Sequence, residues 1–355
     1  MASVHHYLNQ TLGVWQQYSS STVERVAVTE IWRTNEKTRN ATTSIHREVS
    51  KPELSSWLQH TNGTNPHNEP AVEKNCVLRV VWVHFEKKQR IIDIDAVFFE
   101  QLCAAFRHQT AQTYCRTQYA GIGSTIDQET GKSIHFLCNH AKFVFTWSHD
   151  AEVGITSVIC VADRSKLNVL QDMMEKEFVQ NLAHHEMTPA LMSALMSSKE
   201  IDVDARNVKK LVREVEERTG YHEWTSPGEG SARGDLVGLS ARMSGCESRI
   251  ESNIRKSGVI AEFSHFIHNH LEDDKNFEHK KELLVLYEVI ERRTAMQVLS
   301  LKYILARIRA QKEAVSDAKY SDTITIPVKS EFILNVPVAL QSHLRKRFGI
   351  SATHR

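Results

Sequence analysis

A chain of 355 residues, 41% of them hydrophobic, can bury a sizeable core and has the length of roughly two domains. Its 44 basic and 43 acidic residues leave a formal net charge of +1, which argues against a nucleic-acid binder and against attachment to an anionic membrane by charge alone. Six cysteines without a C-x-x-C pair, no secretory leader and no run near the roughly 20 apolar residues of a membrane span predict a soluble, cytoplasmic chain with reduced, buried thiols.

Residues 1–75 form a polar N-terminal extension rich in Thr, Asn, Ser and His. Within it Arg25 to Trp32 is strand-like, and Ser50-Lys51-Pro52-Glu53 opens a helix. A head over 76–164 begins with the β-branched and aromatic run Val77 to Phe85, read as a buried strand. A helix capped by Asp95 follows, carrying Val97, Phe98, Leu102, Cys103 and Phe106 on one face. Ile134 to Cys138, Phe143 to Trp147 and Ile155 to Val161 then read as an antiparallel meander, with Gly121 and Gly123 in a turn.

A helical connector over 165–224 starts with Leu167, Leu170, Met174, Phe178 and Leu182 in register. It restarts at Thr188-Pro189, and again at Asp204 after Asp202 as capping acids. The stretch 225–234 has the composition of a flexible linker. Beyond it, over 235–318, Leu236, Leu239, Met243, Cys246, Ile250, Ile254 and Phe263 recur at helical steps, and a second periodic run begins near Phe277. The two predict a long antiparallel helical hairpin. From Lys319 the sequence turns strand-like and enters a polar, basic tail over 319–355. The fold class is thus α+β: a mixed or antiparallel sheet head with helices, then a helical arm.

Few residues are spaced for chemistry. His265, His268 and Glu272 fall on one helical face at i, i+3 and i+7, the candidate site for a divalent metal. The competing reading is a solvated helix end, since zinc sites draw ligands from a second element as well. His184, His185 and Glu186 cluster at a helix end, which cationic side chains favour without any special function. No G-x-S-x-G, H-E-x-x-H or complete phosphate loop occurs. Basic residues Arg292, Arg293, Arg307, Arg309 and Lys312 alternate with Leu299, Leu301, Ile304 and Ile308, a solvated face beside a packed stripe. Peripheral membrane contact is the alternative.

The order of these elements, with Glu217-Arg-Thr-Gly-Tyr-His-Glu-Trp224 ending a helix and Leu236, Leu239, Met243, Cys246 and Glu247 entering the next, resembles the cytosolic part of fungal CorA-like proteins, relatives of CorA-type magnesium transporters. The resemblance is best over residues 165–318. It implies a cytosolic α/β domain joined to a stalk helix, assembly into an oligomer, and magnesium as the ion concerned. The two membrane spans and the Gly-Met-Asn triplet of that family are not found in this sequence. The function expected is therefore non-catalytic: a regulatory or assembly role linked to divalent-cation transport, with no pore of its own. The partner would be a second copy or a full-length relative. The alternatives are a metal-dependent enzyme built on the His265 region and a truncated gene model of a full-length transporter.

Overall fold

The computed structural model describes residues 17–18, 23–36, 39–59, 62–63, 74–86, 91–117, 120–127, 129–139, 143–219, 236–273 and 277–324. The linker at 225–234, the basic tail beyond Ile324 and the side chain of Glu272 lie outside them.

Seven long strands build one mixed sheet: β1 (Arg25–Glu36), β2 (Arg39–Ser50), β3 (Lys74–Glu86), β4 (Ala120–Ile126), β5 (Ser133–Asn139), β6 (Phe143–Asp150) and β7 (Ile155–Ala162). Their spatial order is β2-β1-β3-β7-β6-β5-β4. Three two-residue pieces add short pairings to this frame. Every long neighbour pair is antiparallel except β3 with β7, which run parallel at the centre. Central strands are covered on both faces, which explains why the cores of β3 and β7 are nearly continuous apolar runs rather than alternating ones.

The expected strands at 25–32, 77–85, 134–138, 143–147 and 155–161 are all present. β2 was not expected, because its sequence has no apolar period: Ile45 is exposed, and of the strand's described apolar side chains Val49 is the one buried in the core. It forms as the hairpin partner of β1, in register from Arg25↔Ser50 to Glu36↔Arg39. Gly121 and Gly123 lie within β4 rather than in a turn. Gly123 passes beneath the Phe136 ring, whose nearest carbon would stand 2.8 Å from an added Cβ.

One face of the sheet is covered by α1 (Leu54–Gln59), α2 (Ala96–Ala105) and α3 (Gln109–Thr117). Trp57, Phe98, Phe99 and Leu102 from these helices pack on Val81, Val83, Ile159 and Val161. As the sequence implied, Asp95 caps α2 by accepting from the Phe98 N–H at 2.8 Å, and Ser50 with Glu53 closes a capping box before α1.

The remaining helices are α4 (Arg164–Met174), α5 (Glu177–Leu182), α6 (Thr188–Thr219), α7 (Leu236–Asp273) and α8 (Phe277–Ile324), the last two forming the predicted hairpin. The separate helix expected from Asp204 does not occur; α6 runs through 32 residues. No Gly or Pro interrupts 190–219, and the acids serve as pairing groups: Asp202 binds Arg293 of α8, and Asp204 stands 3.6 Å from Lys256 of α7. Likewise α8 stays helical to Ile324, past the point where the sequence turned strand-like.

By contacts the chain divides into one unit of residues 1–206 with 251–302 and another of 207–250 with 303–355. The first holds the sheet and the helix segments carrying Ser198, Asp202, Lys256, Phe266, Arg293 and Gln297. In the second, Glu216 of α6 takes a two-pronged Arg307 at 2.9 and 2.5 Å, and Glu247 of α7 takes Arg309 and Lys312 at 3.0 and 2.6 Å. All six cysteines are free and buried.

Candidate functional site

Three places hold concentrated polar chemistry, all in the first unit. The first follows from the sheet register. Glu30, Arg79, Ser157, Ser148 and Ile134 stand opposite one another on successive strands, so they form a transverse row on one face. At one end Glu30 is a fully buried carboxylate. Its Oε1 accepts from Trp57 Nε1 at 2.9 Å and Arg79 Nε at 3.0 Å, and its Oε2 meets Arg47 at 2.8 Å. The Arg79 guanidinium also lies 4.5 Å over the Trp57 ring.

Beyond this cluster the row floors a cleft of about 280 Å³, edged by Phe106, Arg107, Lys132 and Asp150. Its cations are matched by acids: Arg107 by Asp127 and Glu129, Lys132 by Asp150, Arg79 by Glu30. Ser148 Oγ lies 3.2 Å from His108 Nε2, a pairing that resembles a nucleophile with its base. Burial, helped by the nearby His135, pushes His108 down to about 3. His108 and Gln112 both bond Thr146 Oγ1, at 3.1 and 2.8 Å, and make a buried polar strut. Burial raises the Cys76 thiol to about 12 and the Cys160 thiol well above its ordinary value, away from the reactive thiolate.

The second place is on the opposite face. His135 of β5, almost fully buried, has Nε2 at 2.9 Å from Glu186 Oε1 and Nδ1 at 2.7 Å from Ser124 Oγ of β4. Around its ring stand Trp147 at 5.3 Å and, from α7, Phe266 at 5.7 Å and His270 at 5.0 Å, the last two edge-on. Burial would raise the Glu186 carboxyl, but the His135 bond and the positive character of His135, His149 and His270 override it and hold the group below its ordinary value. Sequence inspection found Glu186 only as a helix-end acid. Its partners lie 51 residues upstream and 84 downstream, a distance no local pattern spans.

The third place is the predicted metal face. His265 is exposed on α7, while His268 stacks on Tyr287 of α8 at 5.2 Å with the rings 19° apart. No group of three His, Cys, Asp or Glu side chains among the described residues is arranged to hold a metal ion.

The fold defined by these elements is an α+β sheet domain carrying a long helical hairpin. No family model matches the sequence, and no curated protein matches it. Among solved structures, one titled as the full-length CmaX protein aligns over 94% of this chain and 89% of its own, with 12% sequence identity and a TM-score of 0.44. No helix among the described residues is long and apolar enough to cross a membrane.

Proposed function

We propose that this chain is a non-catalytic, CorA-like cytosolic regulatory protein linked to magnesium transport, and that it acts by assembly through its hairpin, with a second copy as the partner. The observation carrying this reading is on α8. Val285, Val289, Met296 and Leu299 are 55–67% exposed, while Leu283, Ile290, Leu301 and Ile304 of the same helix are buried. The exposed set, with Arg292 between its halves and Tyr303 beyond it, advances in steps of four and three, the seam of a coiled coil. A seam of this kind matches another helix bearing the same repeat, which a second copy supplies.

Four such side chains expose on the order of 400 Å² per copy, about half of a standard interface on one partner, so two copies together bury about 800 Å², a gross upper bound of about 20 kcal/mol before side-chain ordering. Association costs of roughly 4–15 kcal/mol leave a modest net affinity, so the assembly depends on concentration. The sequence resemblance over 165–318 supports the link to magnesium. Sedimentation over a dilution series tests it: wild type should shift to monomer on dilution, and Met296→Glu with Leu299→Glu should be monomeric throughout while keeping the wild-type circular dichroism. A double variant that associates as wild type does would remove the seam from the account.

A further inference from the structure

The cleft floored by the polar row carries hydrogen-bond donors that the packing of the sheet does not use. Its lining sets Arg79, Arg107 and Lys132 against a single carboxylate, Asp150. Glu30, Asp127 and Glu129, the acids that hold the two arginines, are not in that lining, so they fix the cations from behind and leave the donors facing the cleft. We propose that this cleft binds a small organic monocarboxylate, with Arg107 and Ser148 taking the carboxylate and a short apolar body lying along Phe106, Ile134 and Ile155.

Arg107 meets both of its acids with one nitrogen, Nη1, at 3.2 Å from Asp127 and 2.6 Å from Glu129. Its Nε and Nη2 take no protein partner among the described residues, which leaves one edge of the fork for the two oxygens of a planar carboxylate. Glu129 is 80% exposed, so water screens its repulsion of an incoming anion. Arg107 also stands at φ 60°, the left-handed position just past α2, where glycine makes the turn without steric penalty. A long cationic side chain held at such a corner is a mark of use rather than of turn formation.

The buried strut supplies a second donor. Gln112 Nε2 donates to Thr146 Oγ1, the Thr146 hydroxyl donates to Nδ1 of neutral His108, and the His108 Nε2–H donates to Ser148 Oγ. This arrangement gives every bond a donor and leaves the Ser148 proton to point into the cleft. Size and charge narrow the ligand. A cleft of about 280 Å³ is at the small end of ligand sites, and its apolar wall suits a short hydrocarbon body. Asp150 in the lining opposes a second negative charge, which disfavours a phosphate dianion.

The test is isothermal titration of the full chain with sodium benzoate and sodium butyrate as probes, and with benzamide and inorganic phosphate as controls. At least one carboxylate should bind saturably at one per chain, and benzamide and phosphate should bind about tenfold more weakly or not at all. Arg107→Gly suits the left-handed turn and should keep the wild-type melting temperature while weakening the carboxylate about tenfold. Ser148→Ala, a second and milder change, should weaken it several-fold. No saturation by either carboxylate up to about 10 mM, equal binding of benzamide or phosphate, or wild-type binding by both variants would overturn the site. The seam on α8 contributes nothing to the cleft, so failure here leaves the assembly reading as it was, and a monomeric chain leaves this test intact.

Discussion

The buried pair of Glu30 and Arg79 gives the sharpest stability prediction. Both side chains are nearly sealed, 1% and 3% exposed, and the carboxylate also holds Trp57 and Arg47. Glu30→Ala takes the carboxylate from the nearly buried Arg79 guanidinium, which keeps the Leu58 carbonyl at 3.5 Å and the Trp57 ring among its contacts, and takes the acceptor from the Trp57 N–H. Removing one partner of a buried ion pair costs about 3–5 kcal/mol, and an orphaned indole N–H falls within the same rearrangement rather than adding fully to it. Glu30→Gln keeps the volume and one acceptor oxygen and should cost less, roughly half as much. The paired change Glu30→Met with Arg79→Met removes both charges together and should be closer to wild type than Glu30→Ala, since apolar replacement of a whole buried pair is often near neutral. Urea unfolding followed by tryptophan fluorescence at pH 7 measures all three. A loss under about 1 kcal/mol for Glu30→Ala would refute the reasoning, because it would mean that water reaches Arg79.

Three further outcomes follow from other sites. His108 is depressed from its ordinary value to about 3, so the unfolded chain binds its proton first and stability must fall as pH drops below about 6.5. Between pH 6.5 and 5 this amounts to roughly 2 kcal/mol, and His108→Asn should remove most of that slope in urea melts at the two pH values. Gly123→Ala places a methyl against the Phe136 ring, which is itself stacked on Tyr114 at 5.3 Å, and should cost about 1–3 kcal/mol in thermal unfolding. An unchanged melting temperature would show that the ring moves freely. Glu247→Ala removes the half-buried carboxylate shared by the more exposed Arg309 and Lys312 and should cost about 1 kcal/mol, less in high salt, by the same melts.

Much of this architecture is visible in the residues. The apolar run from Val77 to Phe85 is long and β-branched because β3 is covered on both faces, and the caps at Ser50 and Asp95 are local chemistry that survives into the fold. The hairpin is legible because α7 and α8 each bury a stripe at helical spacing. What escaped is non-local. β2 has one core-buried apolar side chain and exists because β1 pairs with it. The restart expected at Asp204 did not occur because that acid and Asp202 meet bases on neighbouring helices. The polar row from Glu30 to Ser148 and the His135 cluster are products of sheet register and helix docking. They join residues that no window of sequence holds together.

The central claim is that the chain works by assembling through α8, and the most direct measurement is light scattering of the purified protein over a range of concentrations, with and without millimolar magnesium. The account predicts a concentration-dependent oligomer whose population responds to magnesium. A monomer at every concentration, indifferent to the ion, would contradict it.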